Sequence, residues 1–168
     1  MRVPGAGNPP KVLEAALARI AQSGTVIVAR SNIVASRPIG PSARLYANAA
    51  AVLTSRLEPP RMLARLQAIE DASGRRRRGA RWGARTLDLD IVLWSGGSWH
   101  DQTLTIPHPR FRQRDFVLAP ATGIAPRWRD PITGLTLRQL HARLTRPRPL
   151  PRCAGGRALS SVGRATDF

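Results

Sequence analysis

Residues 81–91 read Arg-Trp-Gly-Ala-Arg-Thr-Leu-Asp-Leu-Asp-Ile, and the carboxylates of Asp88 and Asp90 are the groups here most able to do chemistry. They stand two apart in the apolar run Leu87 to Leu93, which has the length and composition of a strand. Side chains alternate faces along a strand, so both carboxylates point to one side, roughly 7 Å apart at the backbone. Leu87, Leu89, Ile91 and Leu93 then fill the opposite face as core. Two carboxylates on one rigid segment can hold a pair of hard cations about 4 Å apart, the geometry that clamps phosphates for in-line transfer. Arg85 lies three residues before Asp88, and Arg75 to Arg78 form a dense basic run upstream. Metal-binding acids beside fixed cations point to a polyphosphate. An Asp-x-Asp pair alone would equally fit two solvated acids on the open face of an amphipathic strand. The tryptophan, glycine and two arginines at these spacings argue against that plainer alternative.

Other elements must hold this stretch in place. Asn8 is placed to cap a helix that starts with Pro9 and Pro10, carries Val12, Leu13, Ala16, Leu17 and Ile20 at helical spacing, and stops at Gly24. Thr25 to Ala29 and Ile33 to Ala35 read as strands, and Pro38-Ile39-Gly40-Pro41 as a stiff loop. Leu45 to Leu53 is short and lies between loop signals, which predicts a strand. Pro59 and Pro60 open a second helix with Leu63, Leu66 and Ile69 as core and Gln67 and Glu70 sharing a neighbouring face. The segment from Ala72 to Leu87 holds six arginines and no acid, a loop that cannot pack on itself. A Ser95-Gly96-Gly97 turn follows the aspartates, then a strand Leu104-Thr105-Ile106 closed by Pro107, and a small apolar run from Phe116 to Leu118. Thr136 caps a last helix with Leu137, Leu140 and Leu144 inward, ending before Pro147. Strands and helices interleave without a repeat, so the expected class is α+β.

Composition narrows the function classes. A chain of 168 residues is long enough for one domain with a true core. The net charge is +17 and Lys11 is the sole lysine, so the basic character is almost wholly arginine. Such a balance favours an anionic partner, either nucleic acid or a phosphorylated small molecule. Cys153 stands alone, which excludes an internal disulfide and points to a reducing compartment. The N-terminus has no signal-peptide pattern, and no segment approaches the roughly 20 apolar residues of a membrane span. The expectation is a soluble, cytoplasmic protein.

The stretch Arg81-Trp82-Gly83-Ala84-Arg85-Thr86-Leu87-Asp88-Leu89-Asp90-Ile91-Val92 resembles the signature of the 6-hydroxymethyl-7,8-dihydropterin pyrophosphokinases. Leu104-Thr105-Ile106-Pro107-His108-Pro109 through Arg114 and Phe116, then Ile124-Ala125-Pro126, follow the same family's order. Pro38 to Pro41 and Tyr46-Ala47-Asn48-Ala49-Ala50 resemble its substrate loop and the strand after it. The resemblance implies a ferredoxin-like α+β sheet with helices packed on it, and transfer of pyrophosphate from ATP to the pterin's hydroxymethyl group. It implies two Mg²⁺ ions on Asp88 and Asp90, with Arg75 and Arg85 beside the transferring group. Nucleotide contacts would fall to Gln67, Glu70, Arg77, Trp82, Arg85, Ile91, Thr105, His108 and Arg114. The pterin would stack between Tyr46 and Phe116, meet the Asn48 amide, and be closed in by Pro38, Ile39 and Gly40. Thr103 stands where some relatives carry an arginine that touches ATP.

The family begins with an inner strand ending in a Gly-Ser-Asn turn, whereas this sequence opens Met1-Arg2-Val3-Pro4-Gly5-Ala6-Gly7-Asn8. Proline among small residues makes a poor strand, so the first inner strand is expected to be missing or degenerate and the start codon to lie upstream. Residues 1–149 are expected to form the pyrophosphokinase domain, and 150–168 a disordered tail broken up by proline. ATP and the pterin are the expected partners of a monomer, with no membrane and no specific nucleic acid. Two alternatives remain at this point: a truncated, inactive relative that only binds ATP, and a basic nucleic-acid-binding protein using Arg75 to Arg78.

Overall fold

A computed structural model describes residues 9–22, 24–36, 46–73 and 87–147. The α+β expectation holds among them: four α-helices accompany short antiparallel strand pairs. Helix α1 (Pro9–Gln22) leads into strand β1 (Val26–Arg30) and strand β2 (Val34–Ser36). Strands β3 (Tyr46–Asn48) and β4 (Ala51–Thr54) return alongside, β3 against β2 and β4 against β1. The strand expected over 45–53 is therefore two strands, broken at Ala49-Ala50. Ser31 supplies the reason. Its N–H donates to the Ala50 carbonyl at 2.9 Å and its hydroxyl accepts the Ala50 N–H at 3.0 Å, so local bonds replace the ladder there. Ile27 faces Leu53 but Ala29 faces Val52, a bulge in the first arm. A further extra residue enters that arm between the Arg30–Ala51 and Val34–Asn48 pairs. Bulges of this kind sharpen twist and re-aim side chains, here those of β3.

Helix α2 (Pro59–Ala72) starts with its two prolines at the first helical positions, where no backbone donor is lost. It ends on Ser73, whose N–H and hydroxyl both bond the Ile69 carbonyl. Ala16 and Ile20 of α1 pack against Leu66 and Ile69 of α2 and Leu87, with Ile27, Leu53, Met62, Leu89 and Ile91 around them. Leu63, expected in the core stripe, is half-buried outside this cluster, and Met62 takes its place.

A second core lies further along the chain. Strands β5 (Trp99–His100) and β6 (Thr105–Ile106) form a hairpin, followed by a 3-10 turn (Phe111–Gln113), helix α3 (Asp115–Ile124) and helix α4 (Leu137–Thr145). Phe111, Leu118, Leu137 and Leu140 are its buried centre, with Val92, Leu93, Val117 and Trp128 against them. The run from Phe116 to Leu118 is thus part of a helix that the sequence reading did not foresee, since Pro120 and Gly123 both disfavour one. Thr136 caps α4 as expected, in a reciprocal capping box with Gln139. Leu144, expected inward, is 37% exposed, because residues 142–147 are exposed throughout the last turn.

Asp130 pins the second core. It is fully buried and accepts hydrogen bonds from Arg112 Nε and Nη2 at 2.8 and 2.6 Å, from the Thr133 hydroxyl, and from the Ile132 N–H at 3.2 Å. Burial pushes its carboxyl up, but the Arg112, Thr133 and Ile132 bonds outweigh that and lower it from 3.8 to about 2. A depressed folded value means stability present above the unfolded value and lost as pH falls through the folded one. Asp130 is therefore expected to contribute roughly 2 kcal/mol that disappears between about pH 4 and pH 2. Asp130→Asn should cost about 3 kcal/mol near neutral pH and much less near pH 2. Urea midpoints at the two pH values check this; an equal loss at both would show that shape, not charge, is what matters.

Candidate active site

The segment 87–93 pairs with no strand among the described residues, which corrects the expectation of a ladder strand. Its backbone groups bond elsewhere: the Leu89 N–H donates to Glu70 Oε1 at 2.7 Å and the Val92 carbonyl accepts the His108 N–H at 3.0 Å. The alternation read from sequence nevertheless holds. Leu87, Leu89 and Ile91 pack into the first core, and Asp88 and Asp90 are exposed. Val92 and Leu93 then both join the second core, so Leu93 is core as expected and Val92, on the aspartates' side of the alternation, departs from it. The aspartates sit on the seam between two cores, held from both sides.

Nitrogen donors approach Asp90 from the second half of the chain. His108 Nε2 lies 3.8 Å and Arg114 Nη1 3.9 Å from Asp90 Oδ2. Both separations exceed a hydrogen bond, so these are through-space attractions that leave the donors available to an incoming anion. His108 sits between a buried Pro107 and an exposed Pro109, and its Nδ1 accepts the Arg110 N–H at 3.2 Å. A neutral ring in that arrangement carries its hydrogen on Nε2, the atom that faces Asp90. Arg114 ends the 3-10 turn, its carbonyl accepts the Val117 and Leu118 N–H groups of α3, and its guanidinium lies 5.7 Å over the Phe116 ring. One arginine thus links the aspartate side of the site to an aromatic face.

Thr105 lies on β6, where its hydroxyl and His100 Nδ1 are 3.0 Å apart. Asp101 braces the hairpin turn, accepting from Trp99 Nε1, the Thr103 N–H and hydroxyl, and the Leu104 N–H. These bonds, Trp99's first, hold its carboxyl far below the usual carboxylate range. Thr103 is therefore committed to the turn. Tyr46 and Asn48 stand two apart on β3 and so share a face, and α3, which carries Phe116, packs against β2, β3 and β4. Gln67 is half-buried on α2, while Glu70 is 2% exposed and turned to Leu89. Pro38, Ile39, Gly40, Arg75, Arg77, Trp82 and Arg85 lie outside the described residues, as do Asn8 and the tail 150–168.

The structure brings Asp90, His108, Arg114 and Phe116 into one chain of contacts, with Glu70 against the aspartate backbone. Reasoning from sequence missed the Glu70–Leu89 bond and the Arg112–Asp130 pin, which join residues 19 and 18 apart and leave no local signal. Among the described residues no group of three or more His, Cys, Asp or Glu side chains could hold a metal ion unaided. Two exposed carboxylates do fit Mg²⁺, which takes one or two protein oxygens and completes its shell with phosphate and water. No helix among the described residues is long and apolar enough to cross a membrane.

Comparison with known proteins bears on the same residues. Residues 5–126 match the profile of the family described as 7,8-dihydro-6-hydroxymethylpterin-pyrophosphokinase. A Synechocystis protein named 2-amino-4-hydroxy-6-hydroxymethyldihydropteridine pyrophosphokinase is 42% identical over 129 residues, 76% of this chain and 66% of its own length. Proteins of the same name from Haemophilus influenzae and Methylorubrum extorquens are 43% and 35% identical, covering 70% and 82% of this chain and 74% and 87% of their own. The match thus spans about two thirds of the Synechocystis relative's length and more of the other two. With its matched region spanning the first core, the aspartate seam and the Phe111 and Leu118 side of the second core, the chain belongs to the 7,8-dihydro-6-hydroxymethylpterin-pyrophosphokinase family.

Proposed function

We propose that this protein transfers the terminal pyrophosphate of ATP to the hydroxymethyl group of 6-hydroxymethyl-7,8-dihydropterin, in folate biosynthesis. The observation that carries this reading is Asp90 set on a rigid seam with His108 and Arg114 converging on it. The hydroxymethyl oxygen attacks the β-phosphorus, the bond from that phosphorus to the α–β bridging oxygen breaks, and AMP leaves. The hydroxyl proton passes to solvent. Two Mg²⁺ ions on Asp88 and Asp90, when bound, supply charge neutralisation for the phosphate oxygens. His108 Nε2–H and Arg114 offer donors to those oxygens from the other side, and Arg75 and Arg85 face the transferring group. Gln67, Arg77, Trp82, Ile91 and Thr105 complete the nucleotide site.

Tyr46 and Phe116 stack on the flat pterin, Asn48 reads its edge, and the loop of Pro38, Ile39 and Gly40 covers it. Arg114, already against Phe116, ties this pocket to the aspartates. A ferredoxin-like arrangement of the sheet, a pyrophosphokinase domain over residues 1–149 with a disordered tail over 150–168, a monomeric state and a cytoplasmic location belong to the same reading. Catalysis of this type rests on positioning and charge stabilisation, without a covalent intermediate. AMP should form only when ATP, Mg²⁺ and the pterin are all present, as chromatography of the nucleotides would show. Release of ADP would mean that a different unit is transferred.

A further inference from the structure

We infer that Glu70 is a positioning residue for the aspartate pair, holding it in place through the backbone of Leu89 and not by touching the nucleotide. The inference rests on the proposed role of Asp88 and Asp90 as the metal-holding pair. Glu70 lies on the inner face of α2 beside Leu66 and Ile69 and is 2% exposed. Burying a carboxylate is unfavourable unless hydrogen bonds satisfy it, and leucine would fill a core position there without that penalty. Its Oε1 accepts the N–H of Leu89, the residue between the two aspartates, at 2.7 Å. A charge-assisted bond to backbone is among the stronger hydrogen bonds available to a protein.

The segment 87–93 makes no strand pairing among the described residues. Its backbone is anchored by this bond and by the one from His108 N–H to the Val92 carbonyl. Because neighbouring side chains alternate, fixing Leu89 with its side chain against the first core directs Asp88 and Asp90 outward together. Losing the acceptor would leave the Leu89 N–H without its bond and free the segment to rotate. The two carboxylates would then no longer meet a metal in a fixed geometry. Groups that orient metal ligands in this way commonly change metal affinity by 10–100-fold when removed.

The test uses the full chain as wild type, Glu70→Ala and Glu70→Gln. Calorimetric titration of Mn²⁺ in the presence of α,β-methylene-ATP is paired with thermal melts and with titration of the analogue in the absence of divalent cation. Glu70→Ala should weaken Mn²⁺ binding by about tenfold or more, with metal-free binding of the analogue unchanged. Glu70→Gln keeps a side-chain oxygen at the same reach and should stay within about threefold of wild type. Mn²⁺ affinity retained in Glu70→Ala would overturn the inference. So would a loss in Glu70→Gln as large as in Glu70→Ala, or an equal loss of metal-free analogue binding. If Glu70→Ala does not fold, Glu70→Gln decides alone, and weakened Mn²⁺ binding there overturns the proposal. Wild-type protein that binds no Mn²⁺ would refute the metal assignment and the inference with it. Wild-type protein that binds Mn²⁺ but forms no AMP would refute the proposed activity only.

Discussion

Asp90→Ala and Asp88→Ala are each expected to lower AMP formation by about 10³-fold or more, because losing a metal site removes several kcal/mol of transition-state stabilisation. Both side chains are exposed, so neither substitution opens a cavity, and the melting temperature should barely move. Asp90 also neutralises part of the charge of Arg114, which lies 3.9 Å from it, and stands 3.8 Å from His108 Nε2. Removing it leaves the Arg114 guanidinium facing the nucleotide without that counter-charge. Metal-free ATP should therefore bind Asp90→Ala as well as wild type or better, while Mg²⁺ no longer accelerates turnover. Calorimetry with and without Mg²⁺, beside single-turnover AMP formation, separates the two effects. Turnover above a tenth of wild type in either variant would reduce the pair to solvated acids on an open face.

What the sequence disclosed about this site was its local part. Leu87, Leu89 and Ile91 could be assigned inward and Asp88 and Asp90 outward because alternation is a property of consecutive residues, whatever lies opposite. The same pattern failed at Val92, which packs against the core of Phe111 and Leu118 far along the chain. Helix α3 was hidden for a related reason. Pro120 argues against a helix on propensity, but burial of Pro120 itself and of Leu118 against Leu137 and Leu140 of α4 overrides that preference. The α4 cap was legible, since Thr136 and Gln139 meet within one turn. Glu70 is the instructive case: the resemblance placed it at the nucleotide, and only the fold shows its carboxylate turned to the aspartate backbone.

Arg85→Ala is expected to lower single-turnover AMP formation by about 10³-fold, with Arg75→Ala showing the same kind of loss, while ATP binding weakens far less. Charge shifts onto the bridging and leaving oxygens as the bond to the α-phosphate breaks. A guanidinium placed for those oxygens strengthens its interaction only as that shift occurs, so its removal is felt in turnover. Arg114 provides the contrast. Its guanidinium is already held against the Phe116 ring and near Asp90 before any nucleotide arrives. A cation fixed in the ground state serves substrate and transition state alike, so Arg114→Ala should weaken ATP and pterin binding and change the chemical step less. Equilibrium binding of α,β-methylene-ATP to each variant, set beside its single-turnover rate, gives the comparison. If Arg85→Ala and Arg75→Ala instead lose affinity as Arg114→Ala does and keep their rate, they anchor phosphate and the transition-state charge must be met by the metal-bearing aspartates and His108.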